Sequence, residues 1–248
     1  MKILGIIPAR YASTRFPGKP LIDINGFSMI NRVYNQVKKC RDIANVVVAT
    51  DDERIHSHVK SFGGKVEFTS INHKTGTDRC AEIIRKDLYS NYDVIVNIQG
   101  DEPFINPEQI SLICGCFKKN KETEIATLVK KISNNKDIFD TNTVKVAINK
   151  YNKALYFSRS PIPFVRNDKK ELWSKKVDFY KHVGMYAYRK KTLLEITEIN
   201  QTPLEKSESL EQLRWLENDF QIYVDYTDTE TISIDTSEDL EKIISNIK

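Results

Sequence analysis

The residues best suited to chemistry lie in three short segments far apart in the chain. The first is PARYASTRFPGKP, where Arg10, Arg15 and Lys19 stand among prolines and Gly18, directly after the apolar run 3–7. Three cations in an irregular loop after a strand suit a polyphosphate, because two unit charges about 4 Å apart interact by about 4 kcal/mol at an effective dielectric near 20. The second segment is Gln99-Gly100-Asp101-Glu102-Pro103 after the run 94–98, and the third is Asp235 at the end of a strand expected over 231–234. Two carboxylates beside a phosphate loop are the usual way to hold Mg²⁺, which takes one or two carboxylates and completes its shell with substrate phosphates. Each segment alone has a plainer account. The cations can be solvated charge on a turn, Asp101 turn chemistry after a glycine, and Asp235 a charge at a helix start.

For the three to meet, the chain must bring its strand ends together. Apolar runs at 3–7, 46–49, 66–68 and 94–98 read as buried strands. Between them Met29, Ile30, Val33, Tyr34 and Val37 share one helical face, and Ile55, Val59 and Phe62 another that stops at Gly63-Gly64. Residues 77–86 read as a third helix. This alternation predicts a mostly parallel sheet covered on both faces, with ligands outside the carboxyl ends of its strands. The second half is more mixed. Strands are expected at 125–129, 144–148, 154–157 and 183–188 with few helices between them, which predicts antiparallel additions or an excursion, at about 155–190, that serves self-association. A helix is expected over 207–218 with Leu210, Leu213, Trp215 and Leu216. A last helix is expected from Thr236/Ser237, with Leu240, Ile243, Ile244 and Ile247 turned inward. The Lys-rich segments 118–124 and 167–177 read as exposed surface. Nothing in the 248 residues reads as a linker or repeat, so one domain over 1–248 is expected.

Composition narrows the function. Lys+Arg number 38 against 34 Asp+Glu, and the net charge of +4 is too small and dispersed for a nucleic-acid or membrane-surface binder. No apolar run approaches the roughly 20 residues of a membrane helix. The N-terminus lacks a small-residue cleavage site, which predicts no signal peptide and a cytoplasmic protein. Cys114-Gly-Cys116 has the wrong spacing for zinc or a redox pair, and with Cys40 and Cys80 it reads as reduced, buried thiol. His56 and His58 are two apart in a helix and cannot clip a metal. Neither G-x-x-x-x-G-K-[ST] nor G-x-G-x-x-G is present.

The segments IIPARYASTRFPGKPL, VVVATDDERI, TGTDRCAE, VIVNIQGDEPFI, LYFSRSPIPF, HVGMYAY, LEKSESLEQLRWLE and IDTSEDLE, in that order, resemble the motifs of the 3-deoxy-manno-octulosonate (KDO) cytidylyltransferase family over essentially the whole chain. The resemblance implies a Rossmann-like α/β fold of the nucleotide-diphospho-sugar transferase kind, a three-layer α/β/α sandwich with a mixed, mostly parallel central sheet. It implies a homodimer, and a reaction in which the cytidylyl group of CTP passes to the anomeric hydroxyl of KDO with release of pyrophosphate, for lipopolysaccharide biosynthesis. By residue, Arg10 and Lys19 match the grip on the CTP phosphates, with Arg15 helping on phosphate or the sugar carboxylate. Pro8 and Ala9, with Thr77, Asp78 and Arg79, match the frame around cytosine. Asp101 and Asp235 match the ligands of magnesium, two ions in all. Gln99, Arg159, His182, Tyr186 and Glu211 match the sugar pocket. Without the resemblance, His182 reads as a satisfied core histidine and Glu211 as a solvated charge.

Other acceptors stay open, among them 8-amino-KDO and sialic acid. A non-catalytic nucleotide-binding module is the alternative from another class. Paired carboxylates at Asp101 and Asp235 argue against it, since binding alone needs no metal ligands.

Overall fold

The computed structural model describes residues 1–12, 16–230, 232–234, 236 and 238–241. The chain divides into two compact units. The first spans residues 1–111 with the described residues after 230, and the second spans 112–230.

In the first unit the strands are β1 (Ile3–Ala9), β2 (Asp23–Ile24), β3 (Phe27–Ser28), β4 (Asn45–Thr50), β5 (Val66–Phe68) and β6 (Val94–Asn97). The helices are α1 (Met29–Lys38), α2 (Glu53–Ser61) and α3 (Gly76–Arg85), and α4 (Pro107–Lys119) carries the chain onward. β1 lies between β4 and β6 and pairs in parallel with both, and β5 extends the sheet beyond β4. A strand flanked on both edges and covered on both faces has no solvent side, which is why β1, β4 and β6 read as unbroken apolar runs. α1 buries Met29, Ile30, Val33, Tyr34 and Val37, the five residues expected on its inner face. α2 buries Ile55 and Val59, and Phe62 caps its end against the Tyr34 ring. His56 stacks on Phe68 while His58 bonds Ser28, so the two histidines do point apart.

The second unit contains β7 (Ile125–Lys131), α5 (Asn135–Phe139), β8 (Lys145–Ile148), β9 (Ala154–Ser158), α6 (Trp173–Lys176), β10 (Tyr180–Arg189), α7 (Lys190–Ile196), α8 (Pro203–Glu208), α9 (Glu211–Glu217) and β11 (Ile222–Tyr226). β10 runs antiparallel to β7 and β8, β9 antiparallel to β8, and β11 parallel to β7. The antiparallel additions expected in the second half are present.

Three expectations change. The helix expected over 207–218 is broken at Ser209, whose φ of 52° ends α8, and α9 restarts at Glu211. Among the described residues the last strand is β11, while 232–234 is irregular. There the Ile234 N–H donates to the Asp101 carbonyl at 3.0 Å, and its side chain packs with Ile24 and Met29. Segment 167–177 is not all surface. Trp173 is buried with Ile132, Ile138, Val165 and Phe179, and its indole N–H donates to the Asp168 carbonyl. Of the last helix, the described start shows reciprocal bonds between Thr236 and Asp239. Ile243, Ile244 and Ile247 lie outside the described residues. All four cysteines are buried and unbonded to one another, and burial, then the Asp225 charge, pushes the Cys116 thiol up to about 12. No helix among the described residues is long and apolar enough to cross a membrane.

Candidate active site

The carboxyl ends of β1 and β6 and the start of α3 enclose a cavity of about 270 Å³ in the first unit. Its walls include Pro8, Ala9 and Arg10 from the end of β1, Lys19 and Pro20 from the following turn, and Gln99, Gly100 and Asp101 from beyond β6. This is where a parallel sheet places ligands, because its strands end there in loops with free backbone groups.

Local chemistry explains the shape. A Cβ on Gly100 would stand 2.9 Å from the Pro8 carbonyl oxygen, so glycine alone lets the β6 loop press against the end of β1. Gly18, at φ 72°, turns the chain into the short helical turn Lys19–Leu21, and its N–H donates to the Tyr11 carbonyl at 3.0 Å. The Arg54 guanidinium lies over the Tyr11 ring while gripping Asp52 with two nitrogens. Arg15 lies outside the described residues.

Lys19 Nζ stands 2.7 Å from Asp101 Oδ2, the two side chains 14% and 26% exposed. A half-buried cation and carboxylate in contact neutralise each other yet leave each with capacity for a ligand. Asp235 lies outside the described residues, but the Ile234–Asp101 backbone bond brings its neighbour beside Asp101. No group of three metal-ligating side chains occurs among the described residues. A pocket carboxylate beside cations nevertheless fits a hard divalent ion that takes most of its ligands from phosphate and water. Next to Asp101, Glu102 is buried, and burial, then the Asp101 charge, raises its carboxyl to about 8.

The segment expected to frame cytosine is built more for rigidity than its sequence suggests. Thr75 and Gly76 line the cavity, while the Asp78 carboxylate accepts from the Thr75 N–H and the Thr75 hydroxyl accepts from the Asp78 N–H. This capping box fixes the first turn of α3, whose N–H groups favour negative charge nearby. Thr77 is buried in that turn. Arg79 reaches the cavity wall, but its guanidinium is almost wholly buried. It pairs with Asp51 at 2.5 Å and donates to the Thr69 hydroxyl and the Ser70 carbonyl. Arg79 thus staples the ends of β4 and β5 to α3. Sequence reading missed His73, Lys74, Thr75 and Gly76 as cavity-lining residues. Their signal was a histidine and a lysine just before a capping threonine.

Of the residues expected around the sugar, Gln99 lines the cavity and the other four lie in the second unit. There His182, on β10, meets the Thr127 hydroxyl at 3.0 Å and the rings of Phe157 and Tyr186. Burial lowers its pKa to about 3, so it is neutral. The Tyr186 hydroxyl is buried with no hydrogen-bond partner among the described residues, and burial, then the Tyr188 and Glu211 charges, holds its pKa well up. An orphaned hydroxyl of this kind costs free energy unless a ligand satisfies it. Glu211 accepts from Arg214 at 2.8 Å. Arg159 spends its guanidinium on the carbonyls of Glu208, Thr141 and Ser209, which makes it a clamp on the turn between α8 and α9.

Residues 4–232 match the Cytidylyltransferase family, which sets the class as a nucleotidyltransferase. The chain is 57% identical to the 3-deoxy-manno-octulosonate cytidylyltransferase of Parabacteroides distasonis, over 99% of this chain and 98% of that protein. It is 56% identical to that of Bacteroides thetaiotaomicron, over 97% and 96%. Among solved structures, CMP:2-keto-3-deoxy-manno-octonic acid synthetase complexed with CTP matches with a TM-score of 0.92 at 39% identity, covering 100% of this chain and 98% of that one. A cytidylyltransferase from Leptospira borgpetersenii, at 20% identity and a TM-score of 0.64 over 99% of this chain and 86% of that one, shares the fold. The chain belongs to the 3-deoxy-manno-octulosonate cytidylyltransferase family, and its α/β fold with a mixed, mostly parallel central sheet is that of the nucleotide-diphospho-sugar transferases.

Proposed function

We propose that the chain transfers the cytidylyl group of CTP to the anomeric hydroxyl of KDO and releases pyrophosphate. The observation that carries this reading is the cavity at the strand ends, where Arg10, Lys19 and Asp101 converge beside a capped helix start. The acceptor is taken from the full-length relatives.

The hydroxyl attacks the α-phosphorus in line with the departing pyrophosphate, a reaction that needs positioning and charge neutralisation more than covalent chemistry. Arg10 and Lys19 bind the phosphates and stabilise the charge that builds on the leaving group. Pro8, Ala9 and the α3 segment Thr77, Asp78 and Arg79 hold the cytosine side. Gln99 orients the acid sugar from the cavity wall, and within the second unit His182, Tyr186 and Glu211 are assigned to acceptor recognition, with neutral His182 offering a hydrogen bond in place of a charge. Magnesium, two ions with Asp101 and Asp235 as the protein ligands, would supply Lewis-acid activation of the hydroxyl and neutralise phosphate charge.

We assign the chain to the bacterial cytoplasm, where four buried, unbonded thiols are at home. We also assign it to a homodimer formed through residues 155–190, in which Leu155 and Phe164 are 60% and 73% exposed. The deciding experiment is pyrophosphate release across CTP, UTP and ATP, with KDO, 8-amino-KDO or sialic acid as acceptor. Release only with CTP and KDO supports the proposal. Preference for another nucleotide or acceptor replaces it.

A further inference from the structure

The wall of the cavity carries a further cation besides Arg10 and Lys19. Lys74 lines it together with Arg10 and Lys19. Both neighbours of Lys74 are anchored. His73 bonds the Glu82 carboxylate at 2.5 Å, and Glu82 also accepts from the Ser70 N–H at 2.8 Å. Thr75 is held by the reciprocal bonds with Asp78. The backbone at residue 74 is therefore fixed at the cavity rim. The Lys74 side chain is exposed and has no hydrogen-bond or ion-pair partner among the described residues. Lys19, by contrast, is already committed to Asp101. A cation on a fixed stem, facing a cavity and unclaimed by the protein, gives up only side-chain torsions when it meets an anion.

We propose that Lys74 binds the polyphosphate of the nucleotide, so that the site favours CTP over CMP through charge. This rests on the reading of the cavity as the CTP site. An ammonium offers donors only, and a charge-assisted bond to phosphate is the strongest use of them. The contribution is selective because the attraction grows with each phosphate on the ligand, and it is screened by salt because the side chain is exposed.

The test is calorimetric titration of the full chain with CTP and with CMP, in magnesium chloride, for the wild type, Lys74→Met and Lys74→Arg. Lys74→Met should raise the CTP dissociation constant roughly tenfold and the CMP constant much less. Lys74→Arg should stay near the wild type, and the Met effect should shrink at high ionic strength. Equal losses for CTP and CMP would put Lys74 on the base or ribose and overturn the proposal. An unchanged CTP constant would make Lys74 a solvated surface charge, which also overturns it. In both cases the wild type still binds CTP, so the proposed function stands. If the wild type binds no CTP, that function fails and this inference falls with it.

Discussion

The Asp101 carboxylate sits 2.7 Å from the Lys19 ammonium, so removing either charge upsets the charge balance where phosphate is expected. Asp101→Asn should cut turnover on the order of 10²-fold or more, given the several kcal/mol a catalytic metal supplies. Near-normal magnesium-dependent pyrophosphate release by this variant would remove Asp101 from the proposed ligands. His182 carries a second prediction. Its pKa falls from an ordinary 6.5 to about 3 in the folded chain, through burial. Between those values the unfolded chain binds a proton that the native state refuses, so stability is lost as pH falls from 6.5 toward 3. Melting temperatures at about pH 7 and about pH 5 should therefore diverge more for the wild type than for His182→Gln. Equal divergence would place the pH-sensitive group elsewhere.

At the scale of elements, Arg79 joins β4, β5 and α3 through one buried guanidinium. Arg79→Ala would leave Asp51 as an uncompensated, nearly buried charge and open a void, and should cost about 3 to 5 kcal/mol. A urea denaturation midpoint close to the wild type would show that the staple adds little. This pair also marks how far a sequence can be read. The buried strands were legible because burial on two faces imposes an unbroken apolar run, and α1 because its apolar spacing admits one inner face. The Arg79–Asp51 bond spans 28 positions and has no local signature. Ser209 turns left-handed without the glycine that would announce it. Residues 231–234 carry a strand-like composition, yet the backbone at Ile234 is used to hold Asp101 instead. In the site, strand-end position and charge pointed to Arg10, Lys19 and Asp101. The sugar-side residues rested on resemblance alone.

For the molecule as a whole, the segment 155–190 makes the proposed dimer testable. Sedimentation should give twice the mass of the 28.7 kDa chain, and Phe164→Lys should shift it toward the monomer. A monomeric wild type would withdraw that assignment. The burial of Cys40, Cys80, Cys114 and Cys116 has a practical side as well. The native chain should be nearly silent toward thiol-reactive dyes and should release four equivalents only once denatured. A single cysteine introduced on the exposed rim of the cavity proposed for the nucleotide could then be labelled without stripping out the native ones. The chain is in effect a cysteine-free background for fluorescence, ready to report nucleotide binding as it happens.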